Sequence, residues 1–145
     1  MRRRALIVGE DYGSLSEHLC KPSYALVGAS GRRLASLAGL SPSEYERRTA
    51  RFNVVKRPED WEDRDLVRAG AEATVREILR VDLPVIFLGS RVAEAMGVSA
   101  TPLYEWALGP QMAYARVPHP SGRNRYWNDA ASVELARAFL TEALA

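Results

Sequence analysis

The chain has one cysteine, Cys20, and only two lysines, Lys21 and Lys56, in 145 residues. A lone thiol excludes an internal disulfide, a cysteine-held iron–sulfur cluster and a structural zinc site built on several thiolates. A reducing compartment is the default expectation. Long apolar runs are also missing. After Arg2-Arg3-Arg4 the stretch Ala5-Leu6-Ile7-Val8 stops at Gly9-Glu10-Asp11. So short a run makes neither a signal-peptide core nor a membrane span, and we expect a cytoplasmic protein with no membrane partner. An excess of one charge is absent too. Twenty Lys+Arg against 18 Asp+Glu leave a net charge of +2, which excludes a protein that wraps nucleic acid by bulk charge alone.

What is present is ordinary for a globular chain: 47% hydrophobic and 26% charged residues, with 8 Pro and 10 Gly. The length leads us to expect one domain over 1–145. The positive side is almost all arginine, a side chain suited to bidentate contact with phosphate or carboxylate.

Hydrophobic periodicity predicts alternating strands and helices. Ala5–Val8, Phe52–Val55, Pro84–Gly89 and Tyr114–Val117 read as strands, each running into a loop or turn. Helices are predicted from about Ser30 to Leu40, from Ser41 to about Arg48, over Asp65–Arg80, over Arg91–Met96, and from Asn128 or Asp129 to Leu144. Ser41-Pro42-Ser43-Glu44 has the spacing of a capping box. In the Asp65–Arg80 helix the apolar face is expected to comprise Leu66, Ala69, Ala73, Val75, Ile78 and Leu79. In the last helix Val133, Ala136, Phe139 and Leu140 are expected to point inward. The fold class that follows is α/β: a three-layer α/β/α sandwich on a mostly parallel, four-stranded central sheet. Such folds bind ligands beyond the carboxyl ends of their strands.

Those ends carry Gly9-Glu10-Asp11-Tyr12-Gly13, Asn53, Gly89-Ser90-Arg91 and His119-Pro120-Ser121-Gly122-Arg123-Asn124-Arg125. A carboxylate there can orient water, an imidazole can donate to developing negative charge, and an amide can read a base edge. Each residue also has a plainer use: Asp11 as a loop or capping carboxylate, Asn53 as a partner for backbone groups. His18 is expected to be exposed. Asp11, His18, Cys20 and His119 lack any recognised ligand spacing, so no metal is expected. Trp61 and Trp106 are expected to pack in core or loop, Trp127 to pack beneath the last helix, and Tyr126 is open between packing and stacking.

Five segments in order carry a resemblance: Leu6-Ile7-Val8-Gly9-Glu10-Asp11-Tyr12-Gly13, Val27-Gly28-Ala29-Ser30-Gly31-Arg32-Arg33-Leu34, Asn53-Val54-Val55-Lys56-Arg57-Pro58, Val85-Ile86-Phe87-Leu88-Gly89-Ser90 and His119-Pro120-Ser121-Gly122. Together they resemble the motif series of the uracil-DNA glycosylase superfamily over nearly the whole chain. The resemblance implies that Asp11 positions the attacking water and that His119 stabilises the departing base as an oxyanion. It implies that Asn53 recognises the pyrimidine edge. Tyr12, Tyr24 and Leu26 would then complete the base site. Ser30, Ser90, Arg91, Ser121, Gly122, Arg123, Asn124 and Arg125 would contact DNA. The implied activity is hydrolysis of the N-glycosidic bond of uracil or a modified pyrimidine by a monomer, on DNA with a flipped or unpaired base and without a cofactor.

The chain departs from the family pattern at three places. Tyr12 stands where the first motif usually has proline, Leu26 where several branches have a stacking aromatic, and Arg123 where an apolar wedge is usual. Tyr24 is close enough in sequence to supply the ring. These departures leave open a second reading, a non-cleaving nucleotide or single-stranded DNA binder of the same fold, serving a base-modification system. A third is an α/β domain for a small phosphorylated ligand.

Overall fold

The computed structural model describes residues 2–121 and 124–145. The expected contacts of Gly122 and Arg123 lie outside the described residues. Strands β1 (Ala5–Gly9), β2 (Thr49–Asn53), β3 (Val85–Leu88), β4 (Ala107–Leu108) and β5 (Ala113–Val117) form one sheet in the order β2-β1-β3-β5-β4. Neighbours pair in parallel except β4, which runs antiparallel to β5. The helices are α1 (Ala29–Leu37), α2 (Pro42–Arg48), α3 (Arg64–Val81), α4 (Ser90–Ala95) and α5 (Ala130–Ala143).

The sheet is an α/β core because its central strands are apolar on both faces. Every residue of β1 and β3 is buried. Alternation then divides them: Ala5, Ile7, Ile86 and Leu88 meet Leu34 of α1, Tyr45 of α2 and Ala136 and Leu140 of α5, while Leu6, Val8, Val85 and Phe87 meet Ile78 and Val92 of α3 and α4. Helices therefore flank the sheet. Their starts are fixed by side chains. Ser41 Oγ accepts from Glu44 N–H at 3.1 Å while Ser41 N–H donates to the Glu44 carboxylate at 3.3 Å, the expected capping box. Asp63 and Asp129 cap α3 and α5.

Three expectations need correction. The sheet has five strands rather than four, because the two-residue β4 pairs at the edge across the Gly109–Met112 turn. So short a strand has no readable period. The second strand begins at Thr49, ahead of the expected Phe52. Arg51 is tolerated within it because β2 is an edge strand and the guanidinium donates to the carbonyls of Ala25, Glu46 and Thr49. Val54 and Val55 lie past the strand's end, yet their N–H groups still bond to Gly9 and Glu10 carbonyls.

The third correction is the buried face of α3. Thr74 and Ile78 face the core with Val67 and Val81 packed beside them, whereas Leu66, Val75 and Leu79 are exposed. Backbone contact decides the rotation. A Cβ at Gly70 would lie 2.0 Å from the Val54 carbonyl oxygen, so the helix turns Gly70 to that contact, and Thr74 satisfies its hydroxyl on the Gly70 carbonyl at 2.7 Å. In α5, Ala136 and Leu140 are buried and Val133 and Phe139 pack beside them, as expected. The α3 assignment predicts that Ile78→Ala lowers stability by about 2–5 kcal/mol, whereas Leu79→Ala changes it by no more than about 0.5 kcal/mol. Urea denaturation of both variants checks this, and comparable losses would contradict the rotation described.

Candidate functional site

The order β2-β1-β3 makes the chain leave β1 first to one side and then to the other, which opens a crevice at the carboxyl ends. A cavity of about 410 Å³ lies at this edge. Its size falls in the ~300–1,000 Å³ range of small-molecule sites. Glu10, Asp11, Tyr12, Tyr24, Leu26, Ser30, Asn53 and His119 all line it. The expected catalytic and base-binding residues thus share one wall system.

Backbone ladders set the positions. Beyond β1 the chain stays paired with the segment after β2: Tyr12 N–H donates to the Lys56 carbonyl at 3.0 Å, and Glu10 accepts from Val55 N–H at 3.1 Å. Arg57 holds the next turn by donating to the carbonyls of Gly13 and Leu15. On the opposite wall Arg51 Nε holds the Ala25 carbonyl at 3.0 Å. Leu26 adopts a positive φ of 55° there, and Gly31 lets its carbonyl approach, since a Cβ at Gly31 would lie 1.7 Å from that oxygen.

Asn53 ends β2 with 5% exposure, and neither its Oδ1 nor its Nδ2 has a hydrogen-bond partner among the described residues. A buried amide without partners costs about 1–3 kcal/mol, a cost that a ligand's complementary edge removes. Gly9 permits the placement, because a Cβ there would lie 2.6 Å from Asn53 Oδ1 and 2.8 Å from a Leu26 methyl.

Asp11 is held at both oxygens. Oδ1 accepts from Gly13 N–H at 2.8 Å and Oδ2 from the Trp61 indole N–H at 3.3 Å. A carboxylate has about four acceptor positions, so both oxygens keep room for a water. The Trp61 contact was not readable in the sequence, where this residue is expected only to pack; fifty positions separate the partners. Tyr12 lines the cavity beside Asp11, and burial pushes its phenol up to about 12, so it stays a neutral donor.

His119 follows β5 on the far wall. Its Nδ1 accepts from Ser121 N–H at 3.1 Å, which leaves the ring proton of the neutral imidazole on Nε2. Two donors fix its carbonyl: Asn124 Nδ2 at 3.0 Å and Trp127 Nε1 at 2.7 Å. Asn124 also caps Tyr126 N–H, so its amide serves the loop rather than the cavity. Trp127 is buried, as expected, with Arg33 over its ring. Tyr126 accepts from the Tyr104 hydroxyl at 2.9 Å and stands edge-on to Trp127, which assigns it to packing.

Glu10 is the residue that sequence reasoning passed over. Its Oε1 lies 3.9 Å from His119 Nε2, and the pair lines both the main cavity and a smaller one of about 280 Å³ beside Ser90 and Asn124. Burial raises the Glu10 pKa, partly opposed by His119 and Arg91 and reinforced by Asp11. Its place next to Asp11 was visible in sequence; its pairing with His119 depends on the β1-β3-β5 order. Ser90 and Arg91 sit at the start of α4; Ser90 lines the smaller cavity with Glu10 and His119, and Arg91 stands over the Trp61 ring at 6.0 Å. Arg125 is exposed and away from the cavities. His18 is exposed, as expected. No helix among the described residues is long and apolar enough to cross a membrane. Neither a protein-family model nor a curated protein matches the chain.

The raised Glu10 pKa gives a signed prediction. Above its ordinary value of 4.5 the folded protein keeps a proton that the unfolded chain has released. Stability from this group is full below that value and lost as pH rises through the folded pKa. Glu10→Gln should therefore gain stability over the parent protein in the window above pH 4.5, where the two states of Glu10 differ in protonation. Urea midpoints across that window measure it, and parallel profiles would refute it.

Proposed function

We propose that the protein hydrolyses the N-glycosidic bond of uracil or a modified pyrimidine in DNA. The observation that supports this reading most is the unpartnered, buried amide of Asn53 on a cavity also lined by Asp11 and His119. The amide matches a pyrimidine: Nδ2 donates to O4 and Oδ1 accepts from N3–H of uracil. Turned over, the same amide suits N3 and the N4 amino group of cytosine, so cytosine belongs among the test substrates.

The chemistry follows from what each group carries. As the bond between sugar C1′ and base N1 breaks, its electron pair leaves with the base and charge collects on O2. The Nε2–H of His119 donates to that oxygen, a contact stronger in the transition state than with the neutral base. Asp11 orients a water towards C1′. The water oxygen bonds to C1′, its proton passes to the carboxylate, and the departing base is reprotonated from solvent. Tyr24 and Leu26 cover the base faces, with Leu26 taking the place of a stacking ring.

A second reading draws on Asp11, whose two oxygens already accept hydrogen bonds from Gly13 and Trp61. Locked in that way, the carboxylate would serve only to hold the loop, and the protein would bind a pyrimidine without cleaving. One assay separates the two. End-labelled oligonucleotides holding one uracil, 5-hydroxymethyluracil, cytosine or mismatched thymine are incubated with the protein and then treated with alkali. The hydrolytic reading expects alkali-labile product, reduced about 10²–10³-fold in His119→Ala and about 10²–10⁴-fold in Asp11→Ala. Retained oligonucleotide binding without product on any substrate would replace it with the binder.

A further inference from the structure

A second concave surface adjoins the base cavity and is unused by the reading above. It is a groove of about 630 Å³ between α3 and α4, lined among others by Trp61, Arg64, Arg68 and Arg91. Glu62 and Glu94 also line it, yet no arginine of the groove forms an ion pair within 4.0 Å among the described residues. Arg64 and Arg68 lie one helical turn apart on α3 and make no side-chain hydrogen bond among the described residues. Arg91 rests over the Trp61 ring, its guanidinium carbon 6.0 Å from the ring centroid. Three planar forks beside an aromatic wall, unneutralised at contact distance, match a chain of phosphates better than a single carboxylate.

Trp61 joins the two surfaces. One edge of its indole donates to Asp11 at the cavity, while its ring lines the groove. In the proposed hydrolysis the sugar C1′ stands next to Asp11, so the backbone leaving that sugar past Asp11 meets Trp61 and then the arginines.

We propose that this groove carries the sugar–phosphate backbone of the strand bearing the target nucleotide, with Arg64, Arg68 and Arg91 on its phosphates. The proposal rests on the base cavity being a pyrimidine site in DNA. It explains how a chain with net charge +2 holds a polyanion: by local, unpaired forks rather than overall charge.

The test is the salt dependence of binding to a fluorescent single-stranded oligonucleotide with one uracil, comparing the parent protein with the Arg64→Ala/Arg68→Ala double variant. Thermal unfolding of both confirms that the exposed substitutions leave the fold intact. Each lost phosphate contact on a single strand lowers the slope of log affinity against log salt by about 0.7, so the double variant should lose roughly 1.4. Free deoxyuridine, titrated into both proteins, should bind equally. Tight oligonucleotide binding with equal slopes would overturn the groove and leave the proposed function standing. A reduced slope without alkali-labile product would support the groove and remove the hydrolytic reading. Deoxyuridine binding with no oligonucleotide binding by the parent protein would overturn both.

Discussion

The candidate site depends on the absence of one carbon. At Gly9 the end of β1 is approached by the Asn53 amide and by a Leu26 methyl at distances that no Cβ would permit. This close approach brings β2 and the Leu26 segment together over the strand end and forms the closed side of the cavity. It also exacts a cost, because Asn53 is buried where no protein group satisfies it. Folding tolerates such a group where burial around it is strong, and β1 and β3 supply that burial on both sheet faces. The polar deficit of the site and the apolar surplus of the core belong to the same strands.

The opposite wall is governed by hydrogen bonding rather than packing. His119 has its ring nitrogen and its carbonyl fixed by the following loop, and the proton-bearing nitrogen is left for the cavity. Glu10 stands beside that nitrogen with a carboxyl whose pKa burial raises. Trp127, Asn124 and Ser121 each hold His119 by a hydrogen bond.

Much of the fold was legible because its signals are local. The runs in β1 and β3, the Ser41–Glu44 box and the inward face of α5 each follow from a few neighbouring residues. The errors came from long-range contacts. The rotation of α3 depends on the Val54 carbonyl pressing on Gly70, and the start of β2 depends on Arg51 finding carbonyls in other segments. In the site, residue types at strand ends pointed to Asp11, Asn53 and His119, all of which line one cavity. Trp61 and the Glu10–His119 pair were hidden, since nothing near them in sequence announces a partner fifty or more positions away.

The sheet order has a kinetic consequence. β1, at the chain's start, pairs with residues near position 50 on one side and near position 86 on the other, and β5 joins later still. Such pairings close long loops before any contact rewards them, so this topology folds more slowly than a helical bundle of the same length. Asp11, Asn53 and His119 come from three of these distant strand ends, and the cavity exists only once every crossover has closed. During synthesis no nascent fragment ending before β5 holds the complete site. The imidazole takes its place on the cavity wall only with the pairing of β5 on β3, the last parallel strand of the sheet in chain order.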